Sequence, residues 1–382
     1  MPVPPPTEAT ARLTPPDADE IRAFMRAFVS ATAPDGGLTP TQQCLLAAVA
    51  KAMTGYFPGF DVDPITPDEF GLVMAPRVPI FRTRIVQVMV LSALVLRPIP
   101  PDVAARIAAF ANELGVEDDM LTLAREHGAS SLGLAAVDFD RNGYVAHWRD
   151  DTEARSALHT SQALAQGWEA CVDDPALAAR WRDLEQLAPG TLGRRMTEFY
   201  RARGFAYPGS PGSAPPLLAQ HDWVHVLANF GTTVESELEV FAFIARANDD
   251  PRAFSLLAMV VSLFETGALD RGAGLFEASP GHLSEPGVAE RLAGALARGA
   301  NAHTATSSSV DFLGIDWFSF ADLPVADAQD HFGIEPVSPE SKTCGSVGPW
   351  DPGGISPYQL DCGQKLAAQG GYTYDSFGAS VE

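Results

Sequence analysis

HDWVHVLANFGTTVESE, residues 221–237, is the stretch whose reading decides how the second half of this chain folds. His221 and His225 are spaced i, i+4, about 40° apart around a helix, so both imidazoles face one side. On one straight helix, Glu237 would stand about 18 Å beyond His225 along the axis and about 120° round it. Gly231 lies midway between His225 and Glu237, and Thr232 to Glu235 reads as a capping box that opens a new helix. The stretch therefore predicts an antiparallel helical hairpin that turns at Gly231 and brings Glu237 level with His225. Two histidines and a carboxylate would then meet around a divalent metal with coordination positions left open. Asp222 is placed as a further ligand, or as an acceptor that fixes an imidazole tautomer. The competing reading is a solvated helix edge, with Glu235 and Glu239 on the surface.

Outward from this stretch, helix signals dominate. Asp17 caps a helix that carries Ile21, Phe24, Met25 and Phe28 on one face. Thr39 with Pro40, and Thr66 with Pro67 and Glu69, give two further starts. No segment alternates convincingly as a strand, so the expected fold class is all-α, with two helical bundles. The expected organisation is a disordered arm over 1–16, a bundle over 17–148, a metal-binding helical domain over 149–336, and a flexible Gly/Ser/Pro-rich tail over 337–382.

Composition bounds the function. The 382 residues are 46% apolar, with 33 Gly and 31 Pro, and the formal charge is −22. Such a charge argues against nucleic acid as a partner, because that binding is driven by Lys and Arg. Lys51, Lys342 and Lys365 are the only lysines. The run Ile85–Leu96 is apolar but for Gln87 and Ser92, and too short to cross a bilayer. The N-terminus has no signal-peptide pattern. Cys44, Cys171, Cys344 and Cys362 lack CxxC spacing and fit reduced cytoplasmic thiols, the alternative being a Cys344–Cys362 disulfide. The other histidines, His127, His147, His159, His282, His303 and His331, read as structural or exposed.

Two other motifs carry less. Asp138, Asp140, Asn142, Gly143 and Val145 match an EF-hand loop, but Arg149 stands where the bidentate glutamate belongs, so a plain turn is expected. Arg194, Arg195, Arg201 and Arg203 form the densest positive cluster. They could hold a carboxylate, a phosphate or anionic lipid, or simply be a solvated helix face. SLLAMVVSLFETGAL, residues 255–269, reads as core or as the wall of a lipid-like pocket.

Residues 82–128, from RTRIVQVMVL to LTLAREHG, resemble a tellurite-resistance-B type helical domain in the apolar helix, the proline link and the ELGV turn. A docking or scaffold role is the expectation for that part. The pattern H-D-x-x-H, eleven residues, E, with LGRRMTEFYRARGF upstream and VDFLGIDWFSFADLPVADAQDHFGI downstream, resembles the coenzyme Q (ubiquinone) biosynthesis protein four family over residues 152–335. The resemblance implies that His221, Asp222, His225 and Glu237 are metal ligands. It further implies a mostly helical protein at membrane surfaces, linked to oxidative decarboxylation of prenylated quinone precursors. Departures are the bulky VLANFG after His225, and the N-terminal and C-terminal extensions.

The leading expectation is a metal-dependent enzyme, with zinc as Lewis acid or iron for oxygen activation, acting on an aromatic, apolar or prenylated substrate. A second is a non-catalytic lipid-binding scaffold that organises a biosynthetic complex. A third is a His-Asp type phosphohydrolase, which would need His159 and Asp249 or Asp250 at the same metal. Expected surroundings are the cytoplasm or the inner-membrane surface, with a homo-oligomer as one form.

Overall fold

Asp17, Thr39 and Thr66 open helices by one chemistry. Each side chain accepts the amide three residues on, while the residue there, Glu20, Gln42 or Glu69, returns a bond to the cap's own amide. These caps start α1 (Ala18–Thr32), α2 (Pro40–Thr54) and α3 (Pro67–Met74). The computed structural model describes residues 15–96, 100–116, 173–211, 213–214, 216–248, 257, 260–261 and 282–376. Among these residues there are thirteen α-helices, two isolated bridges and no strand, an all-α fold. The arm, the EF-hand-like loop at Asp138, the 148/149 boundary, His159 and most of 255–269 fall outside the described residues, apart from Pro15 and Pro16 of the arm.

The apolar run becomes the core of α4 (Pro79–Leu94), with Ile85, Val86, Met89 and Val90 buried. Its polar interruption at Ser92 is used. Gln42 Nε2 donates to the carbonyls of Thr32 (2.9 Å) and Ser92 (3.0 Å), so a buried amide is satisfied where a water could not reach it. No described helix is long and apolar enough to cross a membrane. Helix α5 (Pro101–Glu113) completes the first group.

The second group comprises α6 (Pro175–Asp183), α7 (Leu192–Arg203), α8 (Pro216–Ala228), α9 (Val234–Ala247), α10 (Val288–Asn301) and α11 (Val325–His331). The two groups share one continuous apolar cluster, from Ile21 to Phe332. Lys51 of α2 pairs with Glu290 of α10 at 3.0 Å. Arg84 of α4 donates to the carbonyls of Ala245 and Asn248 at the end of α9. The N-terminal helices thus brace the back of the α8–α9 hairpin.

The segment after Pro336 is not a flexible tail through its described length, which corrects the expectation from composition. Helices α12 (Pro339–Thr343) and α13 (Pro357–Gly370) form there. Ser338 and Ser356 cap them, and Pro339 and Pro357 occupy first-turn positions. The Ser-Pro pairs are helix starts rather than linker punctuation. Helix α13 packs on α7 so closely that a Cβ on Gly204 would stand 2.8 Å from the Cys362 backbone. Cys344 and Cys362 are both free thiols, so the alternative disulfide is not formed.

Candidate metal centre

Helix α8 ends in a left-handed cap. Asn229 has φ 58°, and the Phe230 amide reaches back five residues to the His225 carbonyl at 3.0 Å. Helix α9 then starts at Thr233, whose hydroxyl accepts the Ser236 amide. The hairpin forms as expected, with its details moved. The hinge is Asn229 rather than Gly231, and the cap is Thr233 rather than Thr232. Gly231 is required for a different reason: a Cβ there would lie 3.0 Å from both Cα and O of Gly354. Thr232 faces inward, accepting Arg203 Nε at 2.9 Å and donating to Gln359 Oε1 at 2.5 Å.

The turn brings His221, His225 and Glu237 together, with one ligand atom from each lying within 4.8 Å of the others. Glu237 Oε2 is 3.5 Å from Nε2 of both histidines. All three side chains are no more than 1% exposed. His225 Nδ1 can only donate to the Phe230 carbonyl, 3.3 Å away, so in the neutral ring its Nε2 carries a lone pair toward the carboxylate. Two acceptors then face each other, and 3.5 Å is too long for a shared proton to make an ordinary hydrogen bond. His225 Nε2 and Glu237 Oε2 are buried without a hydrogen-bond partner. A cation would resolve this. Two ligands each about 2.0–2.1 Å from a tetrahedral ion stand about 3.4 Å apart, which the 3.5 Å separations match.

Asp222 is buried beside the trio but is not one of the converging three. Its Oδ1 lies 3.6 Å from His221 Nε2, and its Oδ2 accepts the Tyr200 hydroxyl at 2.5 Å. Tyr200 thus orients the carboxylate at the edge of the centre. Aromatic rings close the sides: Phe199 stacks on His225 (5.8 Å, 27°) and Phe241 on His221 (4.9 Å, 23°). Burial pushes the Glu237 carboxyl toward its neutral form, while positive charge at His225 and His221 holds it well below the usual range; a bound cation would supply that charge with both rings neutral.

The neighbouring carboxylates are not a solvated surface. Glu239 is buried and bonded to Arg291 Nη2 at 2.7 Å, its carboxyl raised by burial against the pull of that arginine. Glu235 accepts from His282 at 3.1 Å, which makes His282 a partner rather than an isolated histidine.

The arginine cluster does not form an anion cradle, a second correction. Arg194 and Arg195 both bond Glu198, at 3.1 and 3.2 Å. Arg201 lies 4.8 Å over the Tyr372 ring, and Arg203 is fully buried against the Pro349 and Gly354 carbonyls. Arg194 and Arg195 share Glu198, while Arg201 and Arg203 turn to other sides of α7. Tyr200, Phe199 and Phe241 are additions the sequence did not flag, since nothing local distinguishes an aromatic beside a ligand from one in the core.

No protein-family model matches the chain, and no curated protein or solved structure matches it either.

Proposed function

We propose that the protein is a metal-dependent enzyme acting on an aromatic, apolar substrate, by decarboxylation or hydroxylation of a phenolic ring. The observation that supports this reading is the convergence of His221, His225 and Glu237 with their nitrogen and oxygen lone pairs turned inward. Three protein ligands are the set of a catalytic site, whereas structural zinc sites fill four positions, mostly with cysteine. Zinc held there would supply Lewis acidity, and iron oxygen activation. The chain's own part is to orient His225 through the Phe230 carbonyl, to set Asp222 through Tyr200, and to keep the site dry with Phe199 and Phe241. The resemblance to the coenzyme Q protein four family points the same way, and extends the proposal to prenylated substrates drawn from a membrane surface.

A second reading has its own support. The ligand side chains are buried, and the loop 346–356 covers the hairpin turn, with the Gly231 amide on Val347 O (2.8 Å) and the Thr232 amide on Gly354 O (2.9 Å). A closed centre of that kind suits a scaffold whose metal staples the hairpin while other faces hold lipid or biosynthetic partners. For the phosphohydrolase reading, His159, Asp249 and Asp250 fall outside the described residues.

The deciding experiment is elemental analysis of purified protein, followed by incubation of the metal-loaded protein with phenolic acids, prenylated and not, under air. Carbon dioxide release or a hydroxylated product supports the enzyme. Stoichiometric metal without product, at any substrate and with partners present, supports the scaffold. A chain that takes up neither zinc nor iron overturns both.

A further inference from the structure

A cavity of about 170 Å³ lies where α8 ends, between α10, α11 and the chain that enters α12. The space equals about six water volumes, room for a molecule of a few non-hydrogen atoms.

Arg298 is the buried cation of its wall. The residue is only 6% exposed, with Nε on the Glu335 carbonyl at 2.9 Å and Nη2 on the Ala228 carbonyl at 2.6 Å. Nη1 is buried without a hydrogen-bond partner. Two neutral carbonyls orient a guanidinium but bring no counter-charge. Burial outweighs the pull of the Glu239 and Glu335 carboxylates and lowers the Arg298 pKa to about 10. Glu239 is moreover committed to Arg291, at 2.7 Å. A buried cation whose counter-charges do not balance its desolvation is stabilised by an anion brought next to it.

The lining holds further donors. Lys342 stands on the exposed side of the cavity, and neither its Nζ nor the Asn229 side-chain amide makes a hydrogen bond or ion pair among the described residues. The one carboxylate in the lining, Glu335, is engaged by Asn301 Nδ2 at 3.0 Å. Two cations against one carboxylate leave the walls with a single positive charge in excess. That excess matches a monoanion, while Glu335 opposes a second negative charge. Ile334, Pro336 and Val337 supply an apolar wall, which suits a short alkyl group rather than a bare inorganic ion.

We infer that this cavity binds a short-chain monocarboxylate, its carboxylate between Arg298 and Lys342 and its alkyl group against Ile334, Pro336 and Val337. Charge-assisted donors on both sides of a carboxylate are the strong kind of hydrogen bond. None of these residues belongs to the metal centre, so the site is independent of the function proposed above.

The test is a saturation-transfer NMR titration of the full-length protein with butyrate, inorganic phosphate and butylammonium at constant ionic strength. Butyrate should bind saturably with a Kd on the order of 1 mM, as befits a ligand of about six non-hydrogen atoms. Lys342→Gln should weaken it by ~5-fold or more, and Lys342→Glu should abolish it, because the excess charge is first cancelled and then reversed. Lys342 is exposed, so both variants should fold. Ile334→Trp, which fills the cavity from its apolar wall, should abolish binding with the charges intact. Arg298→Gln should abolish it too; if circular dichroism shows that this variant does not fold, the other three decide. Phosphate and butylammonium should bind more weakly than butyrate. Four results would each overturn the inference: no saturation with butyrate, binding that Lys342→Glu leaves unchanged, binding that Ile334→Trp leaves unchanged, or either comparison ion binding as tightly as butyrate.

Discussion

Gly231 and Gly354 meet backbone to backbone at the hairpin turn, where a Cβ on Gly231 would lie 3.0 Å from both Cα and O of Gly354. Neither glycine has positive φ, so the requirement is closeness and not backbone conformation. A Cβ on Gly354 would fare worse, standing 2.0 Å from the Gly348 carbonyl oxygen. We expect Gly231→Ala to cost about 1 kcal/mol and Gly354→Ala about 3 kcal/mol, the range for overpacking against backbone. Urea unfolding of the two variants checks the order. Equal, small losses would show that the 346–356 loop yields freely.

The C-terminal segment should be needed for stability. Arg203 is fully buried, and its guanidinium is held by Thr232 Oγ1 and by the carbonyls of Pro349 and Gly354. Ending the chain at Gly345 removes both carbonyls and leaves a charge with part of its shell missing. Leaving a buried donor without its acceptor costs about 1–3 kcal/mol. Arg203→Met in the shortened chain should recover part of that loss, because the guanidinium that lost two acceptors goes with it. A shortened protein with an unchanged melting temperature would refute the account.

Acid should weaken the turn through Glu235. Its hydrogen bond to His282 lowers its pKa to about 2, against the raising effect of burial and from an ordinary 4.5. A carboxyl depressed in the folded state stabilises above its unfolded value. The pair's contribution is therefore full above about pH 4.5 and is lost as pH falls toward 2. After allowance for solvent, Glu235→Gln should cost about 1–2 kcal/mol at neutral pH and flatten the pH dependence between those limits. Denaturation at pH 6, 4 and 2.5 measures it.

How much of the fold was legible depends on the range of the determining contacts. Asp17, Thr39 and Thr66 could be read as helix starts because cap and partner lie three residues apart. The return of Glu237 toward His225 was legible because a break between them is marked by Gly-Thr-Thr. The hinge at Asn229 was not. Gly348 backs onto Asn229, and Val347 and Gly354 take the amides of Gly231 and Thr232, from more than a hundred residues away. Arg203 was misread for the same reason: only the folded C-terminal segment makes its carbonyl shell. Composition counted that segment's Ser-Pro pairs as linker, although each begins a helix.

The candidate metal centre yields the sharpest pair of variants. Glu237→Gln keeps the size and polarity of the side chain while removing the charge that faces two imidazole nitrogens at 3.5 Å. His225→Ala removes one nitrogen and frees the Phe230 carbonyl, and α8 keeps its Asn229 cap. Both should lower bound metal sharply while the helical circular dichroism stays close to that of the parent. Tyr200→Phe is the control for orientation, because it removes the 2.5 Å bond to Asp222 and keeps the ring. For outer partners of a metal site the expected fall in affinity is ~10–100-fold, and loss of a ligand should exceed it. Metal affinity should then rank parent, Tyr200→Phe and Glu237→Gln in falling order, by competition with a chromogenic chelator. If the site is catalytic, turnover falls in the same order. If it is a staple, the order is kept in melting temperature while lipid or partner binding is spared. A Glu237→Gln protein that holds metal as tightly as the parent would remove the carboxylate from the centre and, with it, the hairpin's part in building the site.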